Sequence, residues 1–206
     1  MKTKAFLLSG FIVVGVAARV ISAPSGGEDA RLESFFKNYL DETFQLQPME
    51  ATQLGDHRFD DRLDDLSAKA RQGRLERIRA TLQQLPKEVD YQKLSRAAQI
   101  DFEILQHELT KSIWMEENMH PFEEDPRVYN DYINDSVYLL LSQSTLPRET
   151  NVANGIARMA LIPKVVAAAR ENLKNPPRVH TETAIRQNRG AIAFYEQGLF
   201  ETAGKT

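Results

Sequence analysis

The 206-residue chain contains no cysteine. That excludes disulfide staples, thiolate zinc sites, a cysteine nucleophile and lipid anchoring through a cysteine. Histidine is scarce as well. His57, His107, His120 and His180 are the whole supply, so any metal would need these side chains together with carboxylates. Positive charge is not in excess: 26 Lys and Arg face 29 Asp and Glu, a net charge of −3. A protein that neutralises phosphates needs a basic stripe, so nucleic-acid binding is not expected. There is no glycine-rich phosphate loop and no G-x-S-x-G nucleophile elbow. No segment alternates apolar and polar residues as a half-buried strand would, and no repeat of fixed period or dividing linker is visible.

What is present is ordinary globular material. Hydrophobic residues make up 42% and charged residues 27%, enough for one domain with a real core. The N-terminus stands apart. "MKTKAFLLSGFIVVGVAARVISAPSGG" has Lys2 and Lys4, an apolar run from Ala5 to Ala18, then small residues near Ser22 and Ala23. This is the order of a secretory signal peptide, assigned to residues 1–23 and followed by a short linker, 24–30. The run is short for a membrane span of about 20 residues, although an uncleaved anchor is the alternative. Pro24 disfavours a cut after Ala23; cuts after Ala18 or Ser25 are the other options. Loss of residues 1–23 removes Lys2, Lys4 and Arg19 and leaves a net charge of −6. An exported acidic chain of this kind fits the periplasm or the cell exterior, with no stable membrane span after cleavage.

From about residue 31 to 206 the pattern is helical throughout. Segment 29–47 carries Leu32, Phe35, Phe36, Tyr39, Leu40 and Phe44 in one stripe. Pro48 starts a short helix that Gly55 can end in a left-handed cap. Ser67 is a predicted N-cap for a helix through Leu75, Ile78, Leu82 and Leu85, ended by Pro86. Ser95 caps a longer one with Ala98, Phe102, Leu105, Leu109 and Ile113 on its stripe. Helices follow at about 129–142 and 149–173, the latter kinked or restarted at Pro163. Thr181 opens a last helix with Ile185, Ile192, Tyr195 and Leu199 on its face. Asn154-Gly155 reads as part of a helix. The fold class is therefore all-α, a multi-helix array.

Two stretches invite a chemical reading. "HELTK" at 107–111 starts like the H-E-x-x-H of zinc peptidases, which places two histidines one turn apart with glutamate as base. The fifth position is Lys111, and an ammonium cannot replace an imidazole. "DHRFDDRLDDLS" at 56–67 lacks the glycine and closing glutamate of a calcium loop. Its spacing predicts a solvated loop and helix start, with Asp60 near Asp64 on a helical face and aspartates capping free amides. His57 is the one residue in it able to serve a site. Trp114, Tyr129, Tyr132 and Tyr138 sit at helical spacings and are expected in the core.

Taken in order, "ATQLGDHRFDDRLDDLS", "QIDFEILQHEL", "DPRVYNDY", "YLLLS", "ARMALIPKVVAAARENLKNPP" and "TETAIRQNRGAIAFY" resemble the N-terminal third of the bacterial domain-of-unknown-function family 885. The resemblance covers about residues 30–200. The most specific piece is Leu-Gly-Asp-His-Arg followed by Asp-Asp-Arg-Leu. The resemblance implies the N-terminal portion of a larger helical, metallopeptidase-like fold, similar to zinc carboxypeptidases and exported. The family's His-Glu-led zinc motif has no matching positions in these 206 residues. No catalytic or metal residue is carried over, and zinc is expected only in longer family members. Asp56, His57 and Arg58 remain candidates for a substrate groove formed with the C-terminal region. The implied reading is a piece of such a protein, inactive alone, with peptide substrates met only by the full-length form. Its last helix would then lack a partner, and either that region or self-association would cover it. The alternative is a self-standing helical binding module.

Overall fold

The computed structural model describes residues 27–204, so the proposed signal peptide and the first linker residues lie outside the described part. Among the described residues there is no strand. The elements are α1 (Gly27–Leu46), α2 (Pro48–Gln53), α3 (Ala68–Glu88), α4 (Arg96–Asn118), α5 (Pro121–Glu124), α6 (Arg127–Ser142), α7 (Arg148–Met159), α8 (Ile162–Asn172), α9 (Arg178–Ala193) and α10 (Leu199–Gly204).

Local chemistry explains most of the boundaries. Pro48 sits in the first turn of α2, where its missing N–H costs nothing. Gly55 ends that segment at φ +85°, a conformation a side chain would strain. The Ser67 hydroxyl accepts from the Ala70 amide and that of Ser95 from the Ala98 amide, so both expected caps are formed. Pro163 restarts the chain as α8 after a break at Ala160 and Leu161. Gly155 lies inside α7, buried against α6; a Cβ there would come within 3.3 Å of Val137 Cγ1.

Three boundaries or faces differ from expectation. Pro86 does not end α3, which runs on to Glu88. Proline removes one hydrogen bond, but the preceding Leu85 is wholly buried and holds the last turn in place. α9 begins at Arg178, three residues before Thr181, because Pro177 supplies the opening carbonyl to the Thr181 amide at 3.1 Å. Its buried face is Ala184 and Ala191, while Ile185 and Ile192 point to solvent. A wide π turn at Phe194–Gly198 adds a residue before α10 and changes the register that a uniform 3.6-residue period predicts.

The core has two main parts. α1, α3 and α4 share one apolar cluster built on Leu32, Phe35, Leu85, Phe102, Leu105 and Leu109. A second gathers around Leu66, Tyr129 and Val165 beneath α6 and α8. α2 and the irregular segment that follows it join the two, with a small cluster of Phe44, Ala51 and Phe59. The stretch Arg148–Asn172 is long and apolar enough to cross a membrane by composition. Here it is folded into the array as α7 and α8, with Arg158 wholly inside the protein. Of the aromatics expected in the core, Tyr129 is buried and Tyr132 half-buried. Trp114 and Tyr138 are not: they lie on outward faces of α4 and α6, 57% and 47% exposed.

Candidate functional site

The candidate site is the corner between α2 and α3. It is only in part the solvated loop and helix start that the spacing predicted: Ser67 opens α3, but Asp60 and Asp64 are on no helical face. His57–Phe59 is a single 3-10 turn and residues 60–66 are irregular. Asp61 and Asp65 are exposed, as expected, and Asp65 accepts from the Ser67 amide at 2.9 Å. Asp60 and Asp64, however, are buried, 1% and 8% exposed. A buried carboxylate must find donors, and both do.

Asp60 Oδ1 accepts from the Thr52 hydroxyl at 2.6 Å, and Oδ2 lies 2.8 Å from His57 Nδ1. The balancing charge comes from far along the chain. Arg158 of α7 is fully buried; its Nη2 donates to Thr52 Oγ1 at 2.5 Å and stands 3.8 Å from Asp60 Oδ1. Thr52 has one proton to donate, and of its two acceptors the Asp60 carboxylate at 2.6 Å is closer than the Pro48 carbonyl at 3.0 Å. Arg158 Nη1 donates to the Ser136 carbonyl at 3.1 Å, while its Nε has no partner. Burial pulls the guanidinium below its ordinary range, and Asp60, Asp64 and Asp61 oppose that shift.

Asp64 is held separately. Its Oδ1 accepts from the Met49 amide at 3.0 Å and its Oδ2 from the Tyr132 hydroxyl at 3.0 Å. Burial raises this carboxyl above the usual carboxylate range; the two hydrogen bonds, with Arg74 and Arg158, lower it in part. Burial and the facing Asp64 carboxylate push the Tyr132 hydroxyl up in turn. The corner therefore ties α2, α6 and α7 together through buried polar groups.

The three residues singled out by sequence lie on the outer edge of this corner. Asp56 accepts from the Arg58 amide at 3.1 Å and from its guanidinium. Arg58 also reaches Asp41 of α1 at 2.7 Å. The Arg58 hydrogen bonds and charge hold the Asp56 carboxyl low. His57 is the link inward, through Asp60. The residues that sequence missed are Thr52, Ser136 and Arg158. Arg158 lies 98 positions beyond Asp60, and no local pattern marks it.

His107 is exposed on α4, and Lys111 one turn on pairs with Glu108. Among the described residues no group of three His, Asp or Glu side chains is placed to hold a metal. An open groove of about 590 Å³ lies elsewhere, between α1, α3 and α4.

The described residues thus form a helical array with a buried arginine–aspartate network at one corner. The chain belongs to the family described as "Bacterial protein of unknown function (DUF885)", which it matches over residues 48–205. None of the curated proteins compared matches it. Among solved structures it is similar to a candidate lipoprotein of unknown function from Shewanella oneidensis, at TM-score 0.75 and 26% identity. That similarity covers 85% of this chain but 32% of the Shewanella chain, so this chain spans about a third of its length.

Proposed function

We propose that this chain is the helical, non-catalytic segment of an exported metallopeptidase-like protein, with its chemistry supplied by a further region. The observation that carries the reading is the mismatch in coverage. The fold matches along 85% of this chain while two-thirds of the related structure has no counterpart here. The unassembled His107-Glu108 pair supports it, because a catalytic zinc needs three protein ligands and an open position. In this reading the corner at Asp56, His57 and Arg58 is a rigid edge against which the further region builds a substrate groove. Export rests on the charged, apolar and small-residue order of residues 1–23 and on the description of the Shewanella relative as a lipoprotein. With no cysteine, this chain would be exported to the periplasm or the exterior by signal cleavage, without lipid attachment.

The test is metal analysis and peptide hydrolysis on the purified chain. The expected result is no stoichiometric zinc and no turnover. One tightly held zinc per chain, lost on His107→Ala, would overturn the reading. A second reading, a binding module in its own right, is favoured by the open groove between α1, α3 and α4.

A further inference from the structure

Three helical stripes converge on that groove. On α1, Phe36, Leu40 and Thr43 follow one another at four- and three-residue steps, and Gln47 continues the line just past the helix end. On α4 the wall runs from Asp101 through Ile104 and Glu108 to Ser112, and α3 contributes Arg74, Arg77 and Ile78. The α3 stripe is shorter, and the lines 36–47 and 101–112 each span eleven residue steps, about 16 Å at 1.5 Å per residue. That is the length of about three turns of an incoming helix. The apolar lining is only partly used by the fold: Leu40, Leu46 and Ile104 are 42%, 40% and 56% exposed.

The charges on the groove are unequal. Arg74 is taken by the Asp65 carbonyl at 2.9 Å and Arg77 by Glu42 at 2.5 Å. Past Gln47 and Glu50 the groove continues into a second cavity of about 330 Å³, lined by Asp64, Asp131, Tyr132 and Asp135. Glu50 belongs to both cavities, and no basic side chain lines the second one. The carboxyls of Glu50, Asp64, Asp131 and Asp135 are all raised by burial, and Asp131 is raised further by Asp135. A cation seated there would relieve that cost. The groove thus offers an apolar floor with a negative end.

We propose that the groove between α1, α3 and α4 is a docking site for a cationic amphipathic peptide segment. Its apolar side chains lie on Leu40, Leu46 and Ile104, and its basic residues lie toward Glu50, Asp131 and Asp135. A groove lined with exposed aliphatic side chains accepts the apolar face of a helix at i, i+3 or i+4 and i+7 spacing. The acidic end fixes which way that helix lies and steers its approach. The inference goes beyond the scaffold reading and does not depend on zinc or on hydrolysis.

The probe is a 14-residue synthetic peptide with leucines at helical spacing and lysines elsewhere, labelled for fluorescence anisotropy. A matched leucine–glutamate peptide serves as the charge control. Saturable binding of the lysine peptide is expected, at least tenfold tighter than the glutamate peptide, and weakening with added salt. Ile104→Lys, at an exposed position that the core does not use, should weaken it at least tenfold. Asp131→Asn with Asp135→Asn should weaken it severalfold and flatten the salt dependence. Ile185→Lys, on the outer face of α9, should leave it unchanged. Circular dichroism melts of each variant confirm that the fold is kept. Equal binding to Ile104→Lys and the parent chain, or equal binding of the two peptides, overturns the proposal. No saturation up to millimolar peptide overturns it too. So does a dimer in sedimentation that Ile104→Lys dissociates, since a second copy would then fill the groove. None of these results bears on metal content or turnover, so the two readings fail separately.

Discussion

The α1–α3–α4 layer and the α2–α6–α7 corner hold their helices together by opposite means. The layer buries aliphatic and aromatic side chains that need only be apolar and of the right size. The corner buries an arginine, two aspartates, a threonine and a serine, each useful only while its partners are present. Burial in the layer is non-directional and close to additive. Burial in the corner is a network in which removing one member strands the others. The layer can therefore drift in sequence, whereas the corner fixes three helices in one arrangement.

The largest effect expected from this contrast is that of Arg158→Met. It leaves Asp60 buried beside Thr52 without its counter-charge, a loss of about 3–5 kcal/mol. Adding Asp60→Asn in the same chain should return at least half of that loss, because the stranded charge is gone. Leu109→Ala in the layer is expected to cost about 2–5 kcal/mol. It should show no such rescue and should add to Arg158→Met. Thermal and urea unfolding of the single and double variants measure both terms. If Asp60→Asn gives no recovery, the corner is not a coupled network.

A smaller effect separates the acids lining the second cavity from ordinary surface carboxylates. A carboxyl whose folded pKa is raised binds its proton more tightly folded than unfolded. It therefore favours the fold below about pH 4, and that contribution is lost as the pH climbs through the raised value. Asp131 and Asp135 behave this way. Asp131→Asn with Asp135→Asn should raise the melting temperature at pH 7, and the gain should shrink toward pH 4. A gain that does not change with pH would mean that repulsion and burial of these carboxylates are not its source.

The smallest effect lies at the outer edge. Arg58→Ala removes the contacts to Asp56 and Asp41, which are surface ion pairs screened by water and salt. No measurable change in melting temperature is expected. A drop approaching that of Arg158→Met would move Arg58 from the edge of the corner into its support.

Much of the fold was legible in the chain because it is written locally. Ser67 and Ser95 cap the helices that follow them, Pro48 and Pro163 open helices, and Gly55 closes one. Each acts within a turn of its own position, so sequence spacing carries the signal. The α4 stripe from Ala98 to Leu109 could be read for the same reason. The candidate site was legible only at its edge. Asp56, His57 and Arg58 stood out as an unusual charged cluster, but the burial of Asp60 and Asp64 did not, since a solvated and a buried aspartate are the same letter.

By itself the sequence determined the helical class, most helix starts and the lack of a completed zinc motif, because propensity, capping and ligand spacing are short-range. Tertiary structure alone decided which polar residues lie inside. Thr52, Asp60 and Arg158 become one unit only when α2 and α7 meet, and that meeting depends on the packing of the whole array. It also decided that α9 buries alanines and shows its isoleucines to solvent. α9 packs against α6 and its Ala184 carbonyl accepts from Asn130 at 2.8 Å, so the choice of face follows from close approach between helices and not from hydrophobicity along one of them.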